Sequence, residues 1–290
     1  MRLIRAELLK ARRRTATYVV LIVALVLMGL TFLLVGEGFR FIGLIEFPAM
    51  YSVIGQFAFG LGGLLAVVYS AAFVGADWNW GVVRNVIARG ESRAGYLLAK
   101  AAALAILLLL ATLIIFAVGI LLVYVTGFLY GIPVSNPLRG RGVQDLVENI
   151  MLGYPVLLQR AAIGLAVAVV FRSQLAGAVI GIVLYLGEAV ITQILTLVSI
   201  STNFANNFGE GGFGFEPIGP EWYQYLPISI GGNVLNGLPG AGATPGAGSG
   251  GFEGLFLRPV PFEIAFPAVL VYLAVAILIG VLALQRQEIT

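Results

Sequence analysis

Residues 75–100 read GADWNWGVVRNVIARGESRAGYLLAK, and long apolar runs flank them, Tyr51–Val74 before and Tyr96–Thr126 after. Each run is long enough to cross a bilayer as a helix, which takes about 20 apolar residues. The stretch is therefore a structured polar loop between two membrane spans. Its chemistry predicts a short helix. Asp77 is placed to cap the N-terminus through its carboxylate. Gly90 suits the residue just past the C-terminus, where a left-handed conformation is common. Arg84 and Arg89 fall towards the end where the helix dipole favours cations. At about 100° per residue, Trp78, Trp80, Val82, Val83, Val86 and Ile87 share one broad arc, opposite Gly81, Arg84, Asn85 and Ala88. An apolar arc outside the lipid needs a cover: headgroups, the chain's own span ends, or a groove in a partner.

The rest of the chain bears out a membrane class. Of its 290 residues, 60% are hydrophobic and only 11% charged, and the mean hydropathy is +1.00. The apolar runs are continuous, not alternating, so helices are expected and a β-barrel is not. The fold class is all-α, in a single transmembrane domain over 1–290. Six spans are predicted, at about 17–35, 51–74, 96–126, 152–171, 174–198 and 264–284.

Charge gives the orientation through the positive-inside rule. With the N-terminus cytoplasmic, the inner segments hold Arg2, Arg5, Lys10, Arg12, Arg13, Arg14, Arg84, Arg89, Arg93, Lys100, Arg172 and Arg286. The outer ones hold only Arg40, Arg139, Arg141 and Arg258. An even number of spans then returns the C-terminus to the cytoplasm. The first 16 residues, MRLIRAELLKARRRTA, place Met1, Ile4, Leu8, Ala11 and Thr15 on one stripe. Arg2, Arg5, Lys10, Arg12, Arg13 and Arg14 mostly face away, as in an amphipathic helix on an anionic leaflet. A plain positive flank that orients the first span is the simpler alternative.

Two charges fall inside predicted spans. Arg160 and Glu188 flank the turn at Arg172–Ser173 at 12 and about 15 residues, so at a 1.5 Å rise they lie at similar depth, roughly 18–22 Å from it. An intramembrane ion pair between them is expected. Gly55, Gly60, Gly62 and Gly63 in the second span suit close helix packing. Residues 199–262 form the large outer segment, with Trp222, Tyr223 and Tyr225 suited to an interface and a Gly-rich loop at 237–251.

Several chemistries are excluded. The chain has no Cys and no His, which removes disulfides, metal sites built on those ligands, and nucleophile–histidine catalysis. A phosphate-binding Walker loop needs Gly-Lys followed by Ser or Thr. Only Lys10 and Lys100 are present, after Leu9 and Ala99, so no cofactor or ATPase motif is expected in this chain. Nucleic-acid binding by arginines this close to a span is not expected.

RAELLKARRR before the first span, the 75–100 loop, the short FRSQLAGAV turn and the large outer segment together resemble the membrane permeases of type-two ABC exporters. The likeness is to the bacitracin-exporter and nitrous-oxide-reductase-maturation kinds. The resemblance implies that residues 1–16 are an elbow helix on the cytoplasmic leaflet. It implies that 76–93 carry a coupling helix docking on a separate ATP-binding subunit, which would hold ATP and magnesium. Asp77, Trp78, Trp80, Val83, Arg84, Ile87, Arg89 and Glu91 are its candidate contacts. A second permease subunit, identical or paralogous, and short outer or re-entrant helices within 199–262 are also implied. The chain would then export an amphipathic or hydrophobic substrate across the plasma membrane, without catalysis of its own. The rival readings are an ion-driven transporter using Glu188 and Arg160, and a membrane scaffold.

Overall fold

A computed structural model describes residues 2–41, 47–208, 219–239 and 258–287. Among these the chain is helical throughout, with six helical stretches long and apolar enough to cross a membrane. Most of the 237–251 loop lies outside the described residues.

A short amphipathic helix, α1 (Arg2–Arg13), leads into the first span, α2 (Thr15–Phe41). The second span is composite: α3 (Ala49–Gly55), a π-helical turn at Gln56–Leu61, and α4 (Gly62–Asn79). A one-turn break leads to α5 (Val82–Ala88). The third span, α6 (Arg93–Tyr130), has 38 residues and is about 57 Å long, so it outreaches a bilayer core and must tilt or project. Ser92 starts it, accepting the Gly95 N–H at 3.1 Å. The spans α7 (Gly142–Phe171) and α8 (Gln174–Phe208) form a hairpin through Arg172–Ser173. After α8 come a 3-10 turn at Trp222–Tyr225, a ten-residue helix α9 (Pro227–Asn236), and the last span, α10 (Phe262–Arg286).

The centre of the bundle is α4 and α7; α2, α8 and α10 leave most of their apolar surface outward, as lipid-facing spans do. Small residues allow the close approach. A side chain at Gly164 would run into the Val67 carbonyl and the Ser70 hydroxyl, and one at Gly177 into Ala168. In lipid such close packing replaces the hydrophobic drive that water supplies.

The start of α1 and the end of α10 lie at one end of the bundle. The Arg93 guanidinium donates to the carbonyls of Leu284, Gln285 and Gln287 at 3.3, 2.8 and 2.7 Å. Gln287 donates to the Val169 carbonyl at 2.9 Å. This basic end also carries α1, α5 and the α7–α8 turn.

The segment 219–239 does not stay at the opposite end. Asn149, near the start of α7, donates to the Pro239 carbonyl, and Gln159, ten residues deeper, donates to that of Pro227. The chain thus descends to mid-bundle and α9 climbs back along α7. Its N-terminus points into the interior, with Pro227 at the first helical position, where a missing N–H does no harm.

Candidate functional site

Around residues 75–100 the structure departs from the expected Asp77–Arg89 helix. The α4 helix continues through Asp77 to Asn79, and the chain turns at Gly81, which has a left-handed φ of 65°. Asp77 is therefore not an N-cap. It lies in the last turn of α4, fully buried, with its carboxylate turned into the protein. Carbonyls crowd a helix C-terminus and disfavour a carboxylate there, so this placement needs cations, and three converge. Lys100 from the start of α6 is fully buried and hydrogen-bonds Oδ2 directly. Arg14 from the α1–α2 junction donates to Oδ1 at 3.2 Å, and Lys10 from α1 lies 3.7 Å from Oδ2. The Tyr96 hydroxyl donates to Oδ2 at 2.6 Å.

A second carboxylate completes the cluster. Glu7, buried on the inner side of α1, takes Lys10 at 2.6 Å and lies 3.5 Å from the Lys100 ammonium. Aromatic faces complete the lining: Lys100 sits 4.8 Å from the Phe73 ring centre, and Arg14 lies between Phe73 and Trp80 at 5.3 and 5.2 Å. Two carboxylates and three cations thus tie α1, the foot of α4 and the head of α6 together. Each charge is expensive to bury alone and is met by an opposite one. Arg14 accordingly turns inward, and Lys10 is half-exposed at the rim of the cluster. Among the candidate surface cations with described side chains, Arg5, Arg12 and Arg13 face outward.

The apolar arc of the loop is also spent internally. Val83 is buried in the main core, and Trp78, Val86 and Ile87 pack against it. Of the candidate contacts, Val83 is thus buried in the chain's own core, and Trp78 and Ile87 are partly covered by it. The physical reason is the turn at Gly81, which folds α5 back onto its own span ends. What remains outward is mostly charged or polar, Arg84, Asn85, Arg89 and Glu91, with the small Ala88 between them and Trp80 at 67% exposure. Gly90 does follow the helix, with φ of 88° and its N–H on the Ile87 carbonyl at 3.0 Å. The site is a small charged knob held on two long spans, with a rigid ionic footing beneath it.

The other candidate pair is corrected too. Arg160 and Glu188 share a depth but form no direct ion pair. Both reach the N-terminal turn of α9. Glu188 accepts the N–H groups of Ile228 and Ser229 at 2.6 and 2.8 Å, the anion at a helix N-terminus that dipole and free N–H groups favour. Arg160, 3% exposed, donates to the Ile228 carbonyl at 3.5 Å and to the Phe59 carbonyl in the π-helical turn. Sequence reasoning missed Glu7, Tyr96 and Lys100 as site residues. The available signal is Lys100, one of two lysines, standing fifth in the apolar run that starts at Tyr96.

Residues 3–188 match the family model described as ABC-2 family transporter protein. The chain belongs to that family. The match spans α1 to the middle of α8 and so includes the charged cluster, α5, Arg160 and Glu188. A search of curated proteins gave no significant match. The chain is accordingly a multi-pass membrane protein of the ABC-2 transporter class.

Proposed function

We propose that the chain is the permease subunit of an ABC exporter of the plasma membrane, moved by ATP hydrolysis in a separate ATP-binding subunit. The carrying observation is α5. A helix with an exposed charged face hangs between the ends of two spans, and the turn before it is locked to α1 and α6 by the Asp77 cluster. A load on Arg84, Arg89, Glu91 or Trp80 is therefore delivered to three membrane elements at once. Charged groups on such a rim set register and encounter with a partner more than raw affinity.

In this reading the basic end is cytoplasmic, as the bias of Lys and Arg dictates. ATP and magnesium belong to the partner. Arg5, Arg12 and Arg13 of α1 meet the anionic leaflet. A second permease subunit, identical or paralogous, faces this one, and the substrate is amphipathic or hydrophobic. Membership in the family and the engagement of Glu188 with backbone N–H groups weigh against an ion-driven transporter.

Purification in mild detergent with mass spectrometry of retained proteins tests this. A co-purifying protein with a Walker motif is expected. It should be lost from the Trp80→Ala/Arg84→Glu variant, which changes two exposed side chains and whose folding is checked by its detergent melting temperature. Its absence from the wild type under several gentle conditions would sink the reading.

A further inference from the structure

Arg160 touches more of the machinery than any span packing requires. Its guanidinium passes beside Gly63, where any side chain would collide with its Cδ and Nη1. One end reaches the Phe59 carbonyl, the other the Ile228 carbonyl at the start of α9. Its face lies 5.3 Å from the Tyr185 ring centre, and the Tyr185 hydroxyl donates to the Gly60 carbonyl at 2.9 Å. Phe59 and Gly60 both belong to the π-helical turn of the second span. A π turn is a single wide turn inserted in an α-helix, and such turns are frequent at functional sites. Here α7 and α8 each supply a side chain to its carbonyls.

The second span is also the one that ends in Asp77 and α5. From Phe59 to Asp77 is 18 residues of helix, about 27 Å at 1.5 Å per residue. Arg160 is thus the side chain that joins the upper end of that lever to the re-entrant helix. Buried guanidinium groups demand acceptors. If the π turn shifts along its axis, the guanidinium must follow the Phe59 carbonyl or lose a charge-assisted bond, and it carries the Ile228 carbonyl with it.

We propose that Arg160 is a positioning residue for transport. It transmits movement of the second span, driven at α5, to the N-terminus of α9. This rests on the permease reading above. Glu188 plays the complementary part: it fixes α9 to α8, the side of the helix that Arg160 does not hold.

The natural absence of cysteine allows a clean test. Gly232 in α9 has open space where a Cβ would be, so Gly232→Cys introduces one thiol. Its labelling by a membrane-impermeant maleimide is measured on the folded complex with the ATPase, with and without ATP–magnesium and vanadate. The backgrounds are unchanged Arg160, Arg160→Met, Arg160→Lys and the milder Gly63→Ala. Expected are a several-fold change in labelling between nucleotide states with Arg160, less than twofold with Met, and intermediate ratios with Lys, which keeps the charge but not the fork, and with Gly63→Ala. Should Arg160→Met not fold, Gly63→Ala against Gly29→Ala, where an added methyl meets open space, decides. The first should shrink the ratio and the second preserve it. An undiminished ratio in Arg160→Met or Gly63→Ala overturns the inference, as does a flat ratio in the unchanged background with active ATPase bound. A chain that retains no ATPase at all overturns the transport reading, and this inference with it.

Discussion

Two buried charged groups of residues hold this molecule together, and they are built oppositely. At the basic end, Asp77 and Glu7 meet Lys10, Arg14 and Lys100 side chain to side chain. At mid-depth, Arg160 and Glu188 make no direct contact and bind backbone, meeting at Ile228. The difference is one of stiffness. Side-chain ion clusters with several partners fix the elements that carry them and fail only when a charge is removed. Charges that cap a π turn and a helix N-terminus hold groups whose geometry has alternatives. The first arrangement suits an anchor under the docking knob, the second a joint within the membrane.

Breaking the anchor should have the largest effect. Replacing Lys100 by Met leaves Asp77 and Glu7 buried beside fewer cations, and removing one partner of a buried pair costs about 3–5 kcal/mol. A marked fall in the detergent melting temperature is expected, with Asp77→Asn falling nearly as far. Equal stability of both variants and wild type would show that the cluster is not an anchor. Crowding the helix contact comes next. Gly164→Ala sets a methyl against the Val67 carbonyl, and overpacking of this kind costs about 1–3 kcal/mol. Trp78→Ala, inward and packed, should also cost stability, whereas Trp80→Ala, which removes one exposed ring face from Arg14, should cost less, about 0.5–1 kcal/mol. Loosening the joint should cost less than breaking the anchor. Glu188→Gln keeps an acceptor but not the charge, for a loss of about 1 kcal/mol. Faster hydrogen exchange at Ile228 and Ser229 is expected, with α7 unchanged. The smallest change in stability belongs to Arg84→Glu on the knob, within about 0.5 kcal/mol as for other exposed positions, although it should weaken retention of the partner.

The two regions were not equally legible. The six spans follow from hydropathy alone, because a bilayer admits little besides long apolar helices. Gly90 and the common depth of Arg160 and Glu188 also follow from local rules, spacing and rise. The anchor does not, because its members come from residues 7–14, 77 and 96–100, and only packing brings them together. In the sequence Asp77 has the place of a cap, since Asp before an apolar arc is a normal start signal. The turn at Gly81 moves that start four residues on and hides the arc. The joint was misread because α9 has ten residues, too few for a hydropathy signal. Without α9, two opposite charges at one depth have only each other as partners.

The most direct measurement places a photo-crosslinking amino acid at Asn85 on the outward face of α5, and in a second protein at Val83 on its inward face. Ultraviolet irradiation of membranes containing the native complex should join the Asn85 position to a protein with a Walker motif and leave the Val83 position joined only within the chain. Crosslinks to lipid alone at Asn85, or to the ATPase from Val83 and not Asn85, would contradict the assignment of this face to the engine that drives the permease.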